Sequence, residues 1–357
     1  MLFDSQDARK HDRGTIIVLS WDGLDTTLVE RFGLTEAFGP HCTSISTFDN
    51  PALGTPHTFE VWPSIITGLP PESHGIRVES SKGVAWQNSP LATGSRLVRP
   101  VVPRRVRKRV GQLLQNQGAT FDFKRRAYYR ANDLSTVFDG RTARAIAVPN
   151  YRVPADDDLD IAFDRGAELK RFLQVGMDAA GETTRQLRTS LAQFEERLAA
   201  EAGAKLAIAR TALQREYDLI FVWLGMLDTI GHVAPVVADE HSDWQERAYR
   251  LAADWTRELR ADMLDEDTMV CVSDHGLHGG EHTHDAFLGS SAPIVDTAES
   301  VLDVRRTIGT ITPTSGERTA PPLRDAYRGR ETPHPHDGQR QGDAQGVHQR
   351  LSDLGYL

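Results

Sequence analysis

The chain has 357 residues, 39% of them hydrophobic, and a formal net charge of -9, enough for a substantial core in one large domain or two modest ones and too acidic for a surface built throughout for nucleic acid. Its two cysteines, Cys42 and Cys271, lie far apart and outside any C-x-x-C spacing, which excludes a disulfide framework and a cysteine zinc site. Any metal must therefore be held by His and Asp. The longest apolar runs fall short of the ~20 residues of a membrane-spanning helix. The polar, mixed-charge N-terminus lacks the apolar stretch of a secretory signal, so cytoplasmic residence is the default expectation.

In chain order, Thr15-Ile-Ile-Val-Leu-Ser-Trp has the β-branched character of a buried parallel strand, and it stops at the turn Asp22-Gly23. Thr58 precedes a predicted helix that runs to about Thr67, closed by Gly68 and followed by Pro70-Pro71. Residues from about 83 to 132 fit the strand and helix alternation poorly and read as an insertion. Ala143 to Asn150 reads as a strand that ends without a carboxylate. Helical patterning covers Gly166 to Arg215, with an interruption around Ala202-Gly203, and again Asp239 to Met263. Between and after these, the strands Tyr217 to Leu224 and Thr268 to Ser273 lead into Asp228 and into Asp274-His275. The alternation implies an α/β fold with a mostly parallel central sheet flanked by helices. Residues 1–311 are expected to form the catalytic domain. From Thr312 the composition turns to Pro, Gly, Arg and Gln, which favours a polar, loosely ordered tail over 312–357. Val347 to Leu357 regain apolar spacing and suit a short closing helix.

In open α/β sheets, ligands bind outside the carboxyl ends of the strands, where the three acidic strand endings would gather. Asp22 alone is as easily a turn former or helix cap. Asp228 and His232 have the four-residue spacing that puts two side chains on one helix face. Asp274-His275-Gly276 implies a sharp bend, for which glycine is suited. The loop Gly279-Gly-Glu-His-Thr-His adds His282 and His284. Together these residues suit Zn, with Mn or Fe as substitutes, better than Ca. Thr58, at the head of its helix, reads either as an N-cap or as a hydroxyl placed where free N–H groups and partial positive charge favour a phosphate.

The ordered set Val18-Leu-Ser-Trp-Asp-Gly, Thr58-Phe with Ser64-Ile-Ile-Thr-Gly-Leu-Pro-Pro-Glu-Ser-His-Gly-Ile, Leu227-Asp-Thr-Ile-Gly-His and Ser273-Asp-His-Gly resembles the alkaline phosphatase superfamily, closest in pattern to its type I phosphodiesterase/nucleotide pyrophosphatase branch. The resemblance spans Ile16 to Leu288. It implies an alkaline-phosphatase-like fold and a two-metal phosphoryl-transfer hydrolase, whether phosphodiesterase, nucleotide pyrophosphatase or phosphatase, working through a phosphothreonine at Thr58. One metal would take Asp22, Thr58, Asp274 and His275. The other would take Asp228, His232 and His282, with His284 as the neighbouring choice. Three carboxylates and a threonine alkoxide balance two divalent ions, Zn or Mn, and leave the site open to an anionic phosphate ester or pyrophosphate. Diesterases of this branch carry Pro-Asn after the phenylalanine, whereas Glu60 and Val61 stand here, so another donor, such as Asn50 or Arg77, would have to hold the phosphate oxygen.

Arg96 to Arg130 carry eleven Lys or Arg against the single acid Asp122. Such a run is either a solvated face or a surface for an anionic membrane or nucleic acid, with Phe121, Phe123, Tyr128 and Tyr129 available for base stacking. Two other functional readings accompany the hydrolase. One is a phosphomutase of the same superfamily, with a cap between Gly83 and Arg215. The other is a non-catalytic membrane- or nucleic-acid-binding module built on the fold.

Overall fold

The β-branched run near the N-terminus forms β1 (Ile16–Trp21), every residue of it buried. The computed structural model of the chain describes residues 14–78, 124–159, 172–177 and 183–328. Most of the basic stretch expected over 96–130 and the closing helix Val347–Leu357 lie outside the described residues. After β1 come α1 (Thr26–Arg31), α2 (Thr35–Phe38), β2 (His41–Ser46), α3 (Thr58–Thr67) and α4 (Pro71–His74). Next are α5 (Arg126–Ala131), β3 (Ala143–Ile146), α6 (Pro154–Asp158), β4 (Leu173–Met177), β5 (Thr183–Leu187) and α7 (Leu191–Leu213). The chain continues through β6 (Leu219–Leu224), α8 (Met226–Val233), α9 (Trp244–Ala261), β7 (Thr268–Val272), β8 (Gly276–His278), β9 (Glu281–Thr283), β10 (Asp285–Ser290) and α10 (Val304–Ile311). Two compact units are distinguished, Met1–Pro321 and Pro322–Leu357. The described part of the second holds the one-turn helix Asp325–Arg328.

The central sheet has the order β2-β10-β7-β1-β6-β3. β1 lies between β6 and β7 and is parallel to both, and β3 is parallel to β6. β10 runs antiparallel to β7 and β2, so the mostly parallel α/β arrangement carries one reversed strand. Alternation along the strands divides the core in two. Ile17, Leu19, Trp21, Ile220, Val222 and Met269 face the side packed by α7 and α9, while Val18, Phe221, Val270 and Val272 face α3 and α10. Both faces of the inner strands are thus covered, which is why those strands read as continuous apolar runs. No helix among the described residues is long and apolar enough to cross a membrane.

The region expected as helix from Gly166 begins otherwise: β4 and β5 pair as an antiparallel hairpin. Ser190 then caps α7, its side chain accepting from Gln193 N. The helix continues without a break through Ala202-Gly203. Gly203 meets nothing where a Cβ would stand, so its cost of ~1 kcal/mol relative to alanine is borne by a helix that buries Phe194, Leu198, Ala202, Leu206 and Leu213. Residues just past Thr312 are also pinned: Thr142 Oγ1 donates to Gly316 O at 2.7 Å and Gly316 N to Gly140 O at 3.1 Å.

Of the basic segment, α5 is described. Tyr129 is buried and donates to Asn150 O, and Tyr128 donates to His74 O. Packing and hydrogen bonding already occupy the two tyrosines considered for base stacking. Arg126 and Arg130 pair with Glu317 at 2.8 and 3.0 Å, and Arg125 pairs with Asp157.

Candidate metal centre

Parallel strands deliver their carboxyl ends to one edge of the sheet, and the central position of β1 decides what meets there. Asp22 follows β1 directly. Asp228 and His232 sit one helical turn apart on α8, which starts two residues after β6. Asp274 and His275 follow β7, and His282 lies on β9, brought back by the β8–β9 hairpin. Asp22, Asp228, Asp274 and His275 have no exposed surface, and Thr58 is buried beside them.

Two groups of ligand atoms result, each with its atoms within 4.8 Å of one another: Asp22, Asp228 and His275, and Asp228, His232 and His282. Asp228 belongs to both. Asp274 joins the first group through His275 Nε2, 3.3 Å from its Oδ2. His284 stands apart, exposed and paired with Asp49 at 2.7 Å.

The orientation of the imidazoles fits a bound cation. In each, Nδ1 faces a backbone carbonyl: His275 faces Gly276 O at 3.1 Å, His232 faces Gly280 O at 3.0 Å and His282 faces Pro56 O at 2.7 Å. A carbonyl only accepts, so Nδ1 carries the proton and the Nε2 lone pair points inward, the tautomer a metal ligand needs. Nε2 of His232 and of His282 are 2.8 Å apart, and each is 3.3 Å from Asp228 Oδ1. Two imidazole nitrogens and a carboxylate oxygen facing one another at these distances form a donor set able to hold a cation.

The ionisation preferences agree. Burial, reinforced by the charge of Asp228, pushes Asp274 up to about 6. Burial and the neighbouring His282 hold His275 down at about 4, neutral and able to ligate. Burial works against charge on His282, yet the hydrogen bond and charge of Asp228, the Pro56 carbonyl and the charge of Asp274 together outweigh it and raise its pKa. Lys205 is also buried, its Nζ 4.3 Å from the ring centre of Trp223 and paired with Glu201, and burial lowers its pKa.

Thr58 is the first residue of α3, and the cap is His57, whose ring accepts from Phe59 N at 3.2 Å. The threonine hydroxyl is therefore not the helix cap: Oγ1 lies 3.3 Å from Asp22 Oδ1 and 3.3 Å from His275 Nε2. Fewer N–H groups are open to a phosphate than the helix start suggests, because Glu60 N and Val61 N both donate to His57 O. Glu60 is buried, its carboxyl raised by burial, and Oε1 accepts from Asn50 Nδ2 and Val78 N. Asn50 spends Nδ2 on Glu60 and Val78 O, so it does not serve as the substitute oxygen donor. Arg77 is an exposed partner of Glu72 at 3.6 Å. Val61, in the asparagine position, is fully buried.

Supporting residues went unnoticed in the sequence because nothing local marks them. Tyr249, from α9, donates to Gly23 O at 3.0 Å and accepts from Asp25 N at 2.9 Å, gripping the turn that carries Asp22. Gly276 was expected for a sharp bend. Its φ is not left-handed; instead, a Cβ there would lie 2.2 Å from Thr283 Oγ1 and 2.4 Å from Asp25 Oδ2. Space, not conformation, is what requires glycine at this position.

Comparison with solved structures gives distant likenesses. The alkaline phosphatase of the Antarctic bacterium TAB5 shares 9% identity and a TM-score of 0.39, covering 84% of this chain and 98% of its own. A protein from Pyrococcus horikoshii shares 12% identity and a TM-score of 0.35, covering 86% and 100%. No curated protein matches the chain significantly. The sequence profile of the type I phosphodiesterase/nucleotide pyrophosphatase family matches residues 16–316, a span that contains β1, α3, β6, β7 and every ligand described above. The chain belongs to the type I phosphodiesterase/nucleotide pyrophosphatase family.

Proposed function

We propose that the protein hydrolyses phosphoric esters or pyrophosphates with Thr58 Oγ1 as nucleophile, beside two divalent cations held by Asp22, Thr58, Asp274 and His275 and by His232 and His282, with Asp228 shared between them. The observation that carries this reading is the placement of Thr58: a buried hydroxyl 3.3 Å from both Asp22 Oδ1 and His275 Nε2, at the positive end of a ten-residue helix. Divalent ions at such ligands lower the pKa of a neighbouring hydroxyl and neutralise charge on the transferred group. Imidazole and carboxylate donors favour Zn, with Mn next.

The chain's own residues account for the rest. Thr58 Oγ1 donates its proton toward Asp22 Oδ1, and the helix behind it fixes the line of attack. Attack on phosphorus releases the alcohol or phosphate leaving group and leaves a phosphothreonine, which water then cleaves. The Asp and His side chains are fixed before substrate arrives, so little reorganisation accompanies the charge that develops at phosphorus.

The test is turnover of bis-p-nitrophenyl phosphate and p-nitrophenyl phosphate by zinc- or manganese-loaded protein. Thr58→Ala is expected to abolish both activities in protein that still binds divalent metal through the remaining Asp and His ligands. Unchanged turnover in that variant would refute the role of Thr58.

A further inference from the structure

The two ligand groups are joined through Asp228, but His282 reaches the outer one on a hairpin whose tip, Gly279 and Gly280, has left-handed backbone at both positions. Something must hold that hairpin against the sheet. The hydrogen bonds of Asp25, three residues beyond Asp22, supply the hold. Its backbone N–H goes to the Tyr249 hydroxyl, and Oδ1 caps α1 by accepting from Leu28 N at 3.0 Å. Oδ2 accepts from Thr283 Oγ1 at 3.0 Å. Thr283 is the residue after His282, and Asp25 is 2% exposed. The bare Cα of Gly276, paired with Thr283 across the hairpin, leaves room for this bond.

We infer that Asp25 and Thr283 are positioning residues that clamp the His282 hairpin to the Asp22 turn and so set the affinity of the outer cation group. This inference rests on the two-cation reading above and adds residues that touch neither cation nor substrate. Without the Thr283 hydroxyl, Asp25 Oδ2 is left buried with its donor gone. The hairpin then loses a bond next to His282 and is left with the His282–Pro56, His232–Gly280 and Gln245–Leu277 contacts, while Asp22, Asp274 and His275 keep their strand-end positions. Supporting bonds of this kind are worth about 10–100-fold in metal affinity.

The experiment compares the parent, Thr283→Val and Thr283→Ser by zinc stoichiometry after dialysis and by competition titration of chelated protein with a zinc indicator. Expected is two equivalents in the parent, about ten-fold or greater weakening of one equivalent in Thr283→Val with the other unchanged, and restoration in Thr283→Ser. Parent affinity at both equivalents in Thr283→Val overturns the clamp and leaves the two-cation reading standing. Equal weakening of both equivalents, or weakening in Thr283→Val and Thr283→Ser alike, also overturns it, since that marks a general packing role. A parent that binds no divalent ion overturns the two-cation reading and the clamp with it.

Discussion

The two candidate ligand groups share Asp228 and differ in how they are built. The inner group, Asp22 and His275 with Asp274 beside them, hangs from the ends of adjacent parallel strands and is wholly buried. The outer group takes His232 from a helix and His282 from a hairpin, and both histidines are partly exposed. Strand ends in the middle of a sheet are held on both sides by neighbouring ladders, whereas a hairpin depends on a few bonds at its edge. The inner group is therefore the rigid half of the centre and the outer group the adjustable half.

The comparison can be broken most directly at the shared residue. Asp228→Asn is expected to remove both metal equivalents and reduce turnover to background, as read by metal analysis beside the ester assay. Loss of only one equivalent would mean that the groups are independent. Next in size, His275→Ala should lose the inner equivalent and, in chelated protein, about 2 kcal/mol or more of unfolding free energy because it opens a cavity in a closed site. His282→Ala should lose the outer equivalent at a cost below ~1 kcal/mol, both costs measured by urea titration. Gly276→Ala should cost about 1–3 kcal/mol through the collision with Thr283 and Asp25.

A smaller effect comes from the scaffold behind Thr58. His74 is buried, accepts from Ile76 N and contacts Ser64 Oγ at 2.9 Å. Burial holds its pKa at about 4 against an ordinary 6.5, so the unfolded chain takes up the proton first as the pH falls. Stability is full above pH 6.5 and declines toward pH 4 by at most about 1.4 kcal/mol per pH unit, a slope that His74→Gln should flatten in urea titrations across that window. Smallest is Glu60→Gln, which keeps one acceptor oxygen for Asn50 and Val78 and should change stability by less than ~1 kcal/mol.

What could be read from the sequence follows from what each segment buries. β1, β6 and β7 are apolar on both faces and announce themselves, and the strand-end aspartates come with them. β2 (His-Cys-Thr-Ser-Ile-Ser) is an edge strand with one buried residue, so its pattern has no reason to alternate cleanly. The hairpin β4–β5 lies in a stretch whose spacing also suited a helix, and tertiary pairing decided between them. At the centre, the four-residue spacing of Asp228 and His232 reads directly as one helix face. The choice between His282 and His284 did not, because their separation by the β8–β9 register exists only once the hairpin has formed. Tyr249 and Asp25 were invisible for the same reason: their partners are distant in the chain, and the bonds carry no local signature.

The position of β1 also governs when the candidate ligand groups can come together. Its ladder partners are β6 and β7, and Ser20 bonds to a residue 202 positions later. During synthesis the apolar β1 is made well before both of its ladder partners, a high-contact-order arrangement that folds slowly and exposes a sticky segment meanwhile. Asp22 is made long before Asp228 and His275, so the candidate ligand group they form closes only after β7 has been synthesised. On the two-cation reading, loading is a late step on a nearly finished sheet.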